Sequence, residues 1–375
     1  MKRLAVLLKK EFLQLFRDKV LVIVLIYAFT VIVYTGGKGV NLEVRRFPTI
    51  IQDQSKSYKS RELISRFREP YFKILAFVKT DKEVVDWLDK GKASMAIIIP
   101  PDFERKVNKS QAKIQVIIDG TMSITATMAV SYVANITNDY AIELLERKGG
   151  STKHFFKNLP RIDGRTRVLF NPNSLSSWFM SLVELINMIT MVPLLITAAA
   201  LIKEKEYGTI EQLLVTPVRS WEIFLAKMLP TVVVVSLLAM LSLFIMVKGV
   251  FGVPIRGSLV LFYIVTCLYI FTLSSIGIAI ATVVRNLSQA MMLIFAILVP
   301  MLMISGAWSP IEAMHPLVRY ISLCSPMRYY LDFSYGVLLK ENSLKYIWHD
   351  ILGILLIGSI LLAFSALKFR QSFAK

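Results

Sequence analysis

KEKEYGTIEQLLVTP, residues 203–217, is a charged, helix-forming stretch set between two long apolar runs, Trp178–Ile202 and Met228–Val247. Each run is long enough to cross a hydrocarbon core of about 30 Å at about 1.5 Å per residue. The stretch therefore caps a membrane hairpin, and a helix carrying this much Glu and Lys meets a protein partner rather than lipid.

Composition agrees. Mean hydropathy is +0.57 and 55% of residues are hydrophobic, which marks an integral membrane protein. Cys267 lies in an apolar run and Cys324 in a connecting segment, too few for a disulfide framework and without zinc-ligand spacing.

Hydropathy predicts six membrane helices: Val20–Thr35, Trp178–Ile202, Met228–Val247, Ser258–Val284, Ala290–Ile304 and Ile351–Leu367. The first has a basic start like a signal peptide but no small-residue cleavage site, so it reads as an uncleaved anchor. Orientation follows from the short loops. Lys2, Arg3, Lys9, Lys10, Arg17 and Lys19 precede the first span, Lys203, Lys205, Arg219 and Lys227 lie between the second and third, and Arg285, Lys368, Arg370 and Lys375 share that side. The opposite side has only Lys248, Arg256, Arg319, Arg328, Lys340 and Lys345. The bias places both termini and the 203–227 loop in the cytoplasm.

Residues 36–174 then lie outside, as a mixed α/β domain inserted between helices one and two. Phe47–Gln52, Tyr71–Val78, Ala96–Ile99, Lys113–Ile118 and Thr166–Phe170 read as strands. Thr80–Asp81–Lys82–Glu83 has capping-box spacing before a helix that stops at Gly91, PPDFERKVNK opens a second helix with proline, and Met122–Lys148 reads as one long helix. The insert is basic, but its cations are dispersed. A solvated surface accounts for them, an acidic envelope partner or anionic headgroups being the other reading. No recognition motif or aromatic-interleaved basic stretch suggests nucleic acid.

Residues 1–19 form an amphipathic interfacial helix. Leu4, Leu8, Phe12, Leu15 and Phe16 gather on one side, with Lys2, Arg3, Lys9, Lys10 and Arg17 opposite. A surface anchor and an elbow that touches a cytoplasmic partner both fit this pattern.

Within the second span, Glu184 shares a helical face with Ser177, Ser181 and Asn187, a candidate pathway or dimer interface, since an intramembrane carboxylate faces a cavity, a partner or water. A snorkelling carboxylate near the outer end is the alternative.

Taken together, Glu204, Lys205, Glu206, Tyr207, Gly208, Thr209, Ile210, Glu211, Gln212, Leu213, Leu214, Val215, Thr216 and Pro217, with FGVPIRGS at 251–258, SGAWSPIEAM at 305–314 and SPMRYYLD at 325–332, resemble the permease subunits of type-2 ATP-binding-cassette (ABC) exporters. The extracytoplasmic PPDFERK and VIIDGT pieces are similar to the bacterial group that carries a large domain after the first span. The pattern departs from that group where His315 intervenes between PIEAM and Pro316, leaving the turn there open. An ordinary loop histidine accounts for it better than a proton sensor.

The resemblance implies a bacterial inner (plasma) membrane permease that pairs with a second permease subunit, as homodimer or heterodimer. It docks a cytoplasmic ABC ATPase on the coupling loop, residues 203–219. Glu204, Glu206 and Glu211 would meet basic groups on that ATPase, Gly208 would permit a close turn, and Thr216–Pro217 would stop the helix. Residues 305–346, with Ser305, Gly306, Pro310 and Glu312, would form an outer re-entrant segment, irregular backbone that protein or water must satisfy. Trp308, Tyr320, Tyr329 and Tyr330 read singly as interfacial aromatics.

Neither Gly37–Lys38 nor Gly91–Lys92 sits in a phosphate-cradling GxxxxGK[ST] spacing, so ATP and magnesium are expected in the partner ATPase and no cofactor in this chain. No nucleophile elbow, HExxH or carboxylate pair suggests intrinsic catalysis. Drug, lipid and other amphiphilic substrates all fit. A non-transporting envelope scaffold, or a mechanical transmitter that binds a partner through the outer domain, is the competing reading.

Overall fold

A computed structural model describes residues 2–39, 46–109, 111–119, 123–147, 175–208, 220–309 and 311–373. They fall into two compact units, one of 46–147 and the other of 2–39 with the residues from 175 onward.

The smaller unit is built on a four-stranded mixed sheet: β1 (Phe47–Asp53), β2 (Phe72–Phe77), β3 (Met95–Ile99) and β4 (Gln115–Ile118), in the order β2-β1-β3-β4. β1 runs parallel to β2 and β3, and β4 is antiparallel to β3. Side chains alternate across the pleat. Phe47, Ile51, Met95 and Ile97 enter a core with Leu63, Phe67, Phe103, Ala129 and Val133, whereas Ile50 and Ala96 pack on the other face with Val84. Four of the five expected strands are present, and Thr166–Phe170 lies outside the described residues. The helix Asp81–Asp89 starts as expected: Thr80 accepts from Glu83 N at 3.3 Å and Glu83 accepts from Lys79 N at 3.0 Å. Gly91 ends it at φ +62. The helices Phe103–Asn108 and Ser123–Arg147 are also present, and a helix over Tyr58–Ile64, capped by Ser57, was not expected.

The larger unit is helical. Its first element is Lys2–Arg17, followed by Lys19–Gly39, Ser176–Glu206, Ser220–Ser242 continuing as a π-type segment to Val250, Leu259–Val283, Leu287–Met303, and, after two short helices, Leu344–Phe373. Five of these helices are long and apolar enough to cross a membrane, so among the described residues the expectation of six is met in five. The sixth candidate, Leu287–Met303, has 17 residues, about 26 Å at 1.5 Å per residue, and carries Pro300 near its end. Leu185, Ile189, Val235, Tyr269, Leu273, Ile294 and Phe333 lie in a continuous buried core that joins these helices.

The short helices Pro316–Ser322 and Pro326–Leu338 precede the terminal span. His315 resolves the departure from the expected turn: its Nδ1 accepts from Leu317 N at 3.3 Å, capping the first of them.

Candidate functional site

The second span does not end in a free charged tail. Its last turn, Lys203–Glu206, grips the neighbouring helices through three consecutive residues.

Glu204 turns into the bundle. Its side chain is 8% exposed and lies between two ammonium groups, Lys10 Nζ at 2.7 Å and Lys227 Nζ at 2.8 Å. Lys227, itself 2% exposed, also donates to Glu11 Oε1 at 3.1 Å and to Ala200 O at 3.3 Å. Two cations thus meet two carboxylates, which is what burial demands, since an isolated charge withdrawn from water costs several kcal/mol. Partial burial disfavours the Lys10 ammonium. The hydrogen bond and charge of Glu204, with the charge of Glu11, outweigh that and raise its pKa above the ordinary value.

Lys205 turns the other way. Its Nζ donates to Ala281 O at 3.0 Å and Val284 O at 2.9 Å, closing carbonyls left open at the end of Leu259–Val283. Glu206 Oε1 accepts from Leu287 N at 2.9 Å at the start of Leu287–Met303, where Asn286 also caps Gln289 N at 2.8 Å. A cation thus sits at a helix C-terminus and an anion at a helix N-terminus, the signs that the two helix dipoles favour. Tyr207 is exposed, and Gly208 turns out of the helix at φ +67, a conformation natural to glycine.

Glu204, expected to face a separate subunit, has its carboxylate buried within this chain between Lys10 and Lys227. Glu206 also has an internal partner, although it stays exposed. Thr209, Glu211, Gln212, Thr216 and Pro217 lie outside the described residues. Sequence reasoning placed Lys10 on the solvated face and overlooked Glu11 and Lys227. The available signals were an acid within the basic amphipathic helix and a lysine at the very edge of the third apolar run.

The second expected cluster is partly assembled. Asn187 Nδ2 donates to Glu184 Oε2 at 3.0 Å, and Ser181 is fully buried, donating to Trp178 O at 3.2 Å. Ser177 is half-buried. Glu184 packs on the first span: a Cβ at Gly36 would lie 2.6 Å from Glu184 Cγ.

In the segment that follows Leu287–Met303, Ser305 is buried and donates to Leu302 O at 2.7 Å, Gly306 sits at φ +97, and Glu312 is exposed. Pro310 lies outside the described residues. Trp308 and Tyr320 are exposed, but Tyr330 is not the interfacial aromatic expected. It is fully buried, stacks on Tyr269 at a centroid distance of 4.0 Å, and bonds Thr266 at 2.8 Å, because the helix Pro326–Leu338 packs it against Leu259–Val283.

The sequence pattern of the family described as ABC-2 family transporter protein matches residues 20–367. The inner membrane transport permease YhhJ of Escherichia coli (strain K12) is 34% identical over 364 residues, covering 97% of this chain and 96% of that protein. The probable multidrug ABC transporter permease YbhR of the same organism is 31% identical over 361 residues, covering 95% of each. The probable multidrug ABC transporter permease YbhS is 26% identical over 344 residues, covering 91% of this chain and 89% of that protein.

Proposed function

Because the chain belongs to the ABC-2 transporter family, we propose that it is one of two paired permeases of an exporter, moving an amphiphilic substrate outward with ATP hydrolysed by a separate subunit. Membership carries with it an ABC ATPase partner and permease pairing. The observation that carries the reading further is the three-way anchoring of Glu204, Lys205 and Glu206 directly before the exposed Tyr207 and the turn at Gly208.

A partner that displaces the segment after Gly208 pulls on a lever already tied to four neighbours: the amphipathic helix, the third span, and the helices beginning at Leu259 and Leu287. The lever is itself long. Ser176–Glu206 is one helix of 31 residues, about 45 Å at 1.5 Å per residue, so Glu184 and the anchors ride on the same rod. The packed ends favour movement between discrete arrangements over gradual bending. In this reading the termini and the 203–219 loop are cytoplasmic, the α/β unit lies outside a bacterial inner membrane, residues 305–346 close the outer side, and ATP with magnesium stays in the ATPase. An amphiphilic drug is the substrate class favoured, in keeping with the multidrug designation of two relatives.

The test is a complex reconstituted in vesicles with its ATPase. Candidate amphiphiles should stimulate hydrolysis and accumulate on the side of the α/β unit. A chain that binds no ATPase, or a complex that moves none of the panel while hydrolysing ATP, would leave the envelope scaffold standing instead.

A further inference from the structure

A cavity of about 220 Å³ lies beneath the amphipathic helix, beside the charged knot but separate from its contacts with the 259 and 287 helices. Glu11, Asp18, Lys203 and Lys227 line it, and Leu15, Leu195, Ile196 and Met291 supply an apolar wall. We propose that it holds the headgroup of one aminophospholipid, with the phosphate at Lys203, the ammonium at Asp18 and acyl chains along the apolar wall.

The charges single out this occupant. Lys227 and Glu11 are matched to each other at 3.1 Å and are spent in the wall. Lys203 is half-buried, and its ammonium has no hydrogen-bond or ion-pair partner among the described residues. Asp18 lines the same cavity, and its Oδ1 caps Leu21 N at 3.1 Å. Lys203 and Asp18 thus supply a cation and an anion that are not paired with each other, as a zwitterionic headgroup requires. Free phosphate answers only Lys203, and a cationic amphiphile answers only Asp18. A choline headgroup has no N–H to donate to a carboxylate, whereas ethanolamine has three. The setting is also that of a headgroup: Phe16 and Val20, at the junction of the amphipathic helix and the first span, are 60% and 71% exposed, apolar surface that belongs in the headgroup and acyl boundary.

The inference rests on the membrane-spanning reading of the bundle and not on transport, so binding is measured on the chain alone. The full chain is delipidated in detergent and titrated with phosphatidylethanolamine, phosphatidylglycerol, phosphatidylcholine or inorganic phosphate. Bound lipid is then counted by native mass spectrometry. The expected result is one phosphatidylethanolamine per chain, favoured about tenfold over the other two lipids and undisturbed by inorganic phosphate, since a charge-assisted hydrogen bond is worth about this ratio. Lys203→Ala should lose about tenfold in retention and Lys203→Arg should keep it. Asp18→Asn, which retains an oxygen for the cap, should abolish the preference for ethanolamine without abolishing binding. Equal retention by Lys203→Ala overturns the proposal, as does an equal loss on Lys248→Ala at the other end of the third span, which marks nonspecific lipid. Displacement by inorganic phosphate would make the cavity a free-anion site. An exporter reading that failed in the ATPase assay would leave these binding results unaffected.

Discussion

Lys227 Nζ lies 2.8 Å from Glu204 Oε2, with the two side chains 2% and 8% exposed: a buried ion pair joins the second and third spans. Taking away one member strands the other. Lys227→Met and Glu204→Gln should each destabilise the bundle by about 3 kcal/mol, the low end for a broken buried pair because Lys10 and Glu11 still offer partial compensation. The double variant should lose clearly less than the sum. Chemical unfolding in detergent reads both quantities, and strictly additive losses would show that the pair is not coupled.

Lys205 and Glu206 should behave differently, because they close helix ends without filling the core. Lys205→Ala or Glu206→Ala should cost about 0.5–1.5 kcal/mol each. In the reconstituted complex, however, substrate-stimulated hydrolysis should fall several-fold while basal hydrolysis persists, since the 259 and 287 helices are unhitched from the lever. Wild-type stimulation in both variants would reduce these contacts to ordinary caps.

The α/β unit should be reached from outside the cell. Lys82 is exposed near the start of Asp81–Asp89, so Lys82→Cys is a suitable probe in a Cys324→Ser background, Cys324 being exposed. Ser57 is a poor position because its hydroxyl accepts from Ser60 N at 3.1 Å to cap a helix. An impermeant thiol reagent should label Lys82→Cys in intact cells. Labelling only after lysis would invert the topology.

The strands of this unit were legible because short runs rich in β-branched and aromatic residues are a local signal, and so were the Thr80 cap and the Gly91 stop. Tyr58–Ile64 escaped since YKSRELI is short and polar, although Ser57 is a cap residue. The site was half legible. The motif at 203–217 pointed to the right helix end, but the partners of Glu204 come from Lys10, 194 residues away, and from the next span. No periodicity reports which of several loop cations folds back onto a carboxylate. For the same reason Tyr330 read as interfacial: its burial depends on Tyr269, in another helix.

Acid should loosen the α/β unit. Hydrogen bonds from Arg66 and then Arg147 hold the Glu143 carboxyl below its ordinary value of 4.5, and Arg147 also bonds Glu62 at 2.6 Å. Lys106 likewise lowers Asp102. A depressed carboxylate stabilises the fold above its unfolded-state value and loses that contribution as pH falls through the lower, folded one. Hydrogen exchange of the Ser123–Arg147 helix in the full chain, corrected for chemical exchange rate, should be flat near neutral pH and rise progressively below about 4.5. Arg66→Leu with Arg147→Leu should flatten the acid response. A response unchanged in that variant would assign it to other groups.

The last prediction concerns Glu184 and Gly36. The Gly36 backbone approaches so closely that an added Cβ would lie 2.6 Å from Glu184 Cγ and 2.9 Å from Cδ, well inside van der Waals contact. Gly36→Ala must therefore push the carboxylate aside and away from Asn187, which holds it at 3.0 Å. The expected cost is about 1 kcal/mol, the modest end of overpacking, because a flexible side chain gives way before backbone does. Glu184→Ala should relieve the two closest contacts and leave only its Cβ at 3.1 Å, so Gly36→Ala should cost less in that background. Function separates packing from chemistry. Glu184→Gln keeps the shape and the hydrogen bond while removing the charge. If the charge serves the substrate route, this variant should assemble normally yet change substrate-stimulated hydrolysis, and Gly36→Ala should reproduce the change by displacing the same group. Wild-type transport of every verified substrate by Glu184→Gln, together with a purely structural defect in Gly36→Ala, would make the carboxylate a packing residue between the first two spans.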